Sequence, residues 1–155
     1  RLSMLPLNWD QTHTLNFLAT AGGKNWVASA IGKLWSGKPY TPEFKTGTVS
    51  GSGAFAGFAD NSERKPNVFD LDIRGSYSIN LLGLQSKIYC NIYNLLDLQN
   101  EFSVWEDTGR ATYTLIAKDV PLTDPGRIGH LQEHLIRPEW YGEPRRINIG
   151  LNISL

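Results

Sequence analysis

Cysteine is almost missing from this 155-residue chain. Cys90 stands alone, so no internal disulfide can form and no redox compartment can be read from it. Long apolar runs are missing too: nothing approaches the ~20 residues that a membrane-spanning helix requires. Neither sign of charge is in excess, because Lys plus Arg and Asp plus Glu both number 15. A net charge of zero argues against a nucleic-acid binder, which needs a basic excess or stripe. No heptad, solenoid repeat or long amphipathic helix is visible. The chain opens at Arg1 with neither an initiator Met nor a signal-like apolar stretch. Of the two explanations, a removed leader or a piece of something longer, the strand count below favours the second.

What is present is alternation. The last ten residues, RINIGLNISL, place Ile147, Ile149, Leu151, Ile153 and Leu155 on one side and Arg146, Asn148, Gly150, Asn152 and Ser154 on the other. A strict period of two is a strand with one greasy and one wet face. The same pattern predicts strands over residues 12–21 and, most clearly, 68–79. In the latter Phe69, Leu71, Ile73, Tyr77 and Ile79 oppose Asp70, Asp72, Arg74, Ser76 and Ser78. Residues 85–94 form a fourth, with Phe102 to Trp105 expected to continue it after a break. Residues 25–36 form a weaker one whose faces the pattern does not assign. Five strands are thus expected, joined alternately by tight turns at 22–24 and 81–84 and by long loops at 37–67 and 107–143.

The expected fold is therefore all-β, an antiparallel meander of about five long strands. A soluble sandwich spaces its strands evenly, whereas tight turns at one end and long loops at the other suit an outer-membrane barrel. The wet faces agree: Asp70, Asp72, Arg74, Lys87, Asn91, Asn148 and Asn152 are awkward in a packed core but natural in a watery lumen. Aromatic residues make up 11% of the chain, and Trp9, Trp26, Trp35, Tyr77, Tyr93, Trp105, Trp140 and Tyr141 tend to fall near strand ends, as girdle residues do. Any one of them can equally be surface packing; the combination carries the reading. Five strands cannot close a barrel, so the chain reads as a segment of a larger one.

Candidate chemistry is sparse. HLQEH at 130–134 fits the H-x-x-E-H pattern of one class of zinc peptidases, but Pro125 and Pro138 bracket it and leave room for a short helix at most. A short loop helix with solvent-facing His130 and His134 is the preferred reading. Asp10 and His13 lack a nucleophile, and Cys90 sits among apolar neighbours as a small hydrophobe. GSGAFAG at 51–57 lacks the Lys-Ser/Thr of a phosphate-binding loop. No enzyme, metal or cofactor is expected.

Four stretches in order bear a family likeness: SGKPYTP at 36–42, FDLDIRGSYSI at 69–79, YNLLD at 93–97 and PEWYGEPRRINIGLNISL at 138–155. Together they resemble the carboxy-terminal end of a TonB-dependent outer-membrane receptor. Leu96 and Leu155 stand where that family usually has Phe. The resemblance implies a barrel of roughly 22 strands with a plug, and a plug domain and TonB-contacting part upstream. It also implies periplasmic turns at 22–24 and 81–84 and extracellular loops at 37–67 and 107–143. The function implied is uptake of a scarce nutrient across the outer membrane of a Gram-negative cell. Tyr40, Phe55, Phe58, Trp140 and Tyr141 are then loop candidates for ligand contact, with loop packing as the plainer alternative for each. Ile147, Ile149, Leu151, Ile153 and Leu155 form the signal for the barrel assembly machinery. The partners implied are outer-membrane lipid, that machinery, the TonB complex and the nutrient. A soluble or surface β-sheet binding module is the alternative.

Overall fold

The computed structural model describes residues 5–42, 60–81, 83–114 and 136–154. Among these residues seven strands form, β1 (Thr14–Gly22), β2 (Trp26–Trp35), β3 (Pro39–Tyr40), β4 (Glu63–Arg64), β5 (Val68–Leu81), β6 (Leu84–Tyr93) and β7 (Arg146–Ser154). The five long strands make one antiparallel sheet in the order β1-β2-β5-β6-β7, so each long strand pairs with its sequence neighbours. The fold is all-β, as the alternation predicts. No described helix is long and apolar enough to cross a membrane, which says nothing of a β-barrel.

Register settles the faces, because directly paired residues in an antiparallel ladder share a side. Ile88, Cys90 and Ile92 of β6 face Leu151, Ile149 and Ile147 of β7, and on the other flank Tyr77, Gly75 and Ile73 of β5. On β1 and β2 the matching pairs are Leu15 with Leu34, Ala19 with Ala30 and Ala21 with Ala28. Intervening residues face the other way: Arg74, Asn91 and Asn148 line up across three strands, as do Ser78, Lys87 and Asn152. The Lys33 ammonium lies 4.0 Å from the Asp70 carboxylate, which joins β2 to this polar side.

The chain divides into two compact units. One holds the sheet, residues 13–35, 69–99 and 143–155; the other holds residues 1–12, 36–68 and 100–142. Among the described residues, the buried hydrophobic side chains are Val68, Val104 and Ala111, all in the second unit. Of these only Val68, at the start of β5, belongs to a strand of the sheet. The sheet's apolar face is open along its length, with Ile149 74% and Leu15 58% exposed.

Within the sheet, the turns joining β1 to β2 and β5 to β6 are short. Leu81 pairs with Leu84, and Gly83 takes φ +86°, the left-handed backbone that glycine adopts without penalty. At the opposite ends of the strands, Thr14 pairs with Trp35 and Tyr93 with Arg146.

Two bare ladder positions are filled by aromatic rings. Phe17 lies over its cross-strand partner Gly32, and Tyr89 over its partner Gly150. A Cβ on either glycine would run into the ring. The rings cover backbone that a side chain would otherwise shield.

Two expectations need correction. Phe102 to Trp105 do not continue β6. Asn94 (φ 48°) and Asp97 (φ 54°) turn the chain away, and the Phe102 N–H then donates to the Trp140 carbonyl at 2.8 Å. The stretch 37–67 is not all loop: Pro39–Tyr40 and Glu63–Arg64 pair as a short antiparallel ladder. The strand-end aromatics also divide. Trp26 and Tyr77 fall on the apolar face, whereas Trp35 and Tyr93 share the polar one with Lys33 and Arg146.

Candidate functional site

The polar face of the sheet brings together six of the seven side chains expected there as a group: Asp70, Arg74, Lys87, Asn91, Asn148 and Asn152. Around Lys87 and Asn152 run two shallow hollows, one with Arg74, Tyr89 and Asn91 and one with Ser78, Asn80 and Gln85. The Arg74 and Arg146 guanidiniums sit 5.7 and 4.8 Å from the Tyr93 ring centre, a spacing that suits cation–π attraction. Hydroxyls, carboxamides and cations in this arrangement can hydrogen-bond water and polar solutes.

Asp72 departs from this group. It is buried, and its Oδ1 accepts the Asn94 N–H at 3.1 Å. The carboxylate that reads as lumen lining is a support for the turn after β6. That turn is the YNLLD stretch. Asn94 is itself buried, and its Nδ2 donates to the carbonyls of Leu98 (3.0 Å) and Glu143 (2.9 Å). Its Oδ1 accepts the Leu98 N–H, and its left-handed backbone is one that Asn tolerates better than most residues.

The polar face also holds apolar residues. Leu18 pairs with Ile31 on the same side as Asn16 and Lys33, and Leu18 is 70% exposed. Mixed faces on β2 are the reason its alternation is weak.

In the second unit, Tyr40, Trp140 and Tyr141 are half-buried and engaged internally. The Tyr40 hydroxyl occupies the space a side chain would need at Gly109, where φ is +68°. Trp140 ends the 3-10 turn Pro138–Trp140 and tilts against Trp105, ring centres 4.8 Å apart. Arg137 lies 5.8 and 5.9 Å from those two rings. Tyr141 bridges to Glu101, which is buried, grips Arg110 through two hydrogen bonds of 2.7 and 3.0 Å to Oε1, and accepts the Ala111 N–H on Oε2. Phe55 and Phe58 lie outside the described residues, as do His130, Glu133 and His134 of HLQEH, the 51–57 stretch and Leu155.

Burial sets the titration of this unit. It pushes the Tyr40 phenol up, helped by the charges of Glu63 and Asp107, and pushes Tyr141 up with help from Glu101. Burial lowers Lys65, and the like charge of Lys38 lowers it further. The Asp10 carboxylate accepts a hydrogen bond from the Arg64 guanidinium. Among the described residues no group of three His, Cys, Asp or Glu side chains is placed to hold a metal.

Ile147, Ile149, Leu151 and Ile153, four of the five residues of the expected assembly signal, line the exposed apolar face of β7. No protein-family model, curated protein or solved structure matches the chain.

Proposed function

We propose that the chain is the carboxy-terminal barrel segment of a TonB-dependent outer-membrane receptor. It contributes wall and outer loops to active uptake of a scarce nutrient such as a siderophore, vitamin, glycan or peptide. One observation carries the reading: a sheet whose two faces differ in character and which, among its described residues, buries a single hydrophobic side chain, Val68 at the start of β5. In water an apolar face of that length is unfavourable, and monomeric proteins rarely expose one. Outer-membrane lipid covers it, and the polar face borders a lumen.

Tight turns at one end of the strands support the same reading, since that end is periplasmic in such barrels. The four family-like stretches supply the family. In the complete receptor the barrel assembly machinery reads β7, and upstream parts form the plug and reach the TonB complex.

Site-directed labelling tests the proposal. In the complete protein, with Cys90 replaced by Ala, Asn148→Cys reacts with a charged maleimide in outer-membrane preparations and Ile149→Cys does not. Equal reaction at the two positions overturns the membrane assignment.

A further inference from the structure

The YNLLD turn does more than end β6. The geometry points to it as a binding site for the chain's own residues 143–145, one that sets the register of β7. This rests on the sheet itself, not on the membrane reading.

The contacts are specific and backbone-directed. Asn94 Nδ2 donates to the Glu143 carbonyl at 2.9 Å, and the Arg145 N–H donates to Asp97 Oδ1 at 2.9 Å. Pro144, which has no N–H to offer, is held between two gripped neighbours. The Arg145 guanidinium adds weaker contacts, 3.8 Å to Asp97 Oδ2 and 3.5 Å to the Leu95 carbonyl. The turn is fixed from behind, because Asp72 accepts the Asn94 N–H and the Leu95 N–H donates to the Leu71 carbonyl at 2.8 Å. Residues 143–145 thus meet a preformed receiver one step before the first ladder pair, Tyr93 with Arg146.

β7 needs such a device. A slip of one residue would put every Ile on the polar face and is excluded by patterning. A slip of two keeps parity, and Cys90 would meet Ile147 or Leu151 in place of Ile149 with little change in side-chain character. Within the strand, the fit of Gly150 under the Tyr89 ring is what distinguishes the registers most clearly. Either that fit or the turn decides the register.

An insertion separates the two. Two residues, Gly-Ser, are inserted between Arg145 and Arg146 of the complete protein, leaving the turn and its contacts intact. Cys90 is the reporter: a bifunctional thiol reagent such as dibromobimane bridges it to a cysteine directly opposite. Without the insertion, Ile149→Cys gives the product. With it, the product moves to Ile147→Cys (numbering unchanged) if the turn sets the register. Product that stays at Ile149→Cys, the insertion bulging out, overturns the proposal.

If the insertion abolishes product at both positions, Asn94→Ala with Asp97→Ala in the uninserted chain decides. Product at Ile149→Cys falls about five-fold for each hydrogen bond lost, and product emerges at Ile147→Cys or Leu151→Cys. An unchanged yield confined to Ile149→Cys overturns the proposal.

Discussion

Asn91 and Asn148 stand directly opposite one another on β6 and β7, and the next pair along, Cys90 with Ile149, faces the other way. Neighbouring residues of one strand therefore sample two different surroundings. Under the proposed membrane assignment, arginine at position 149 would enter hydrocarbon, at a cost of roughly 2–4 kcal/mol near mid-bilayer. Arginine at 148 joins a side that already holds Arg74 and Lys87. Ile149→Arg should sharply reduce the heat-modifiable folded form of the complete protein in the outer membrane, whereas Asn148→Arg should leave most of it. Equal tolerance would sink the lipid-facing assignment.

Gly32 tests the ring-over-glycine arrangement. Gly32→Val forces the Phe17 ring aside and should lower stability by about 1–3 kcal/mol. Removing the ring as well, in Phe17→Ala with Gly32→Val, should recover most of that loss. Gly75 on the same face has open space around an added Cβ, so Gly75→Ala is the tolerated control. Urea unfolding reads all three, and a double variant as unstable as the sum of its parts would refute the contact.

The Glu101–Arg110 pair is lopsided, with side-chain exposures of 6% and 52%. Losing Arg110 strands a buried carboxylate on the Ala111 N–H, while losing Glu101 returns a guanidinium to water and takes away the acceptor of the buried Ala111 N–H. Arg110→Ala should destabilise residues 101–111 by about 1–3 kcal/mol, seen as faster amide exchange at Ala111. No change in that exchange would remove the pair from the account of how this unit holds together.

Alkali should loosen the same unit. Tyr40 and Tyr141 have folded pKa values raised above the ordinary 10.0. Each favours folding fully below pH 10, and that contribution is lost as pH climbs from 10 through the raised values. Ultraviolet titration should find these two phenols ionising late, and Tyr40→Phe should blunt the alkaline loss. Ordinary titration of both rings would contradict the burial described above.

Legibility followed locality. β7 was readable because its two faces differ at every step, so a period of two stands out. β2 resisted because Val27, Ile31 and Trp35 are apolar yet lie on the side with Lys33, which erases the alternation. The loop unit was opaque for another reason: Val68, Val104 and Ala111 are isolated small apolar residues made into a core by long-range folding, and no window of sequence contains them together. Phe102 to Trp105 misled because an apolar pattern resembles a strand, while the left-handed turns at Asn94 and Asp97 divert the chain first. The YNLLD stretch was legible as a family-like motif, but its partners at 143–145 lie about half a hundred residues away and only the fold reveals them.

Among the described residues β1 and β7 lie at the two ends of the strand order, so each has one edge with no strand beside it. The chain's formal charge is zero, leaving no long-range repulsion to keep copies apart in solution. A polypeptide of these residues alone, released into buffer, has colloidal behaviour set by those edges and by its open apolar face. It should self-associate edge to edge unless detergent caps the sheet, and purification strategy should follow from that.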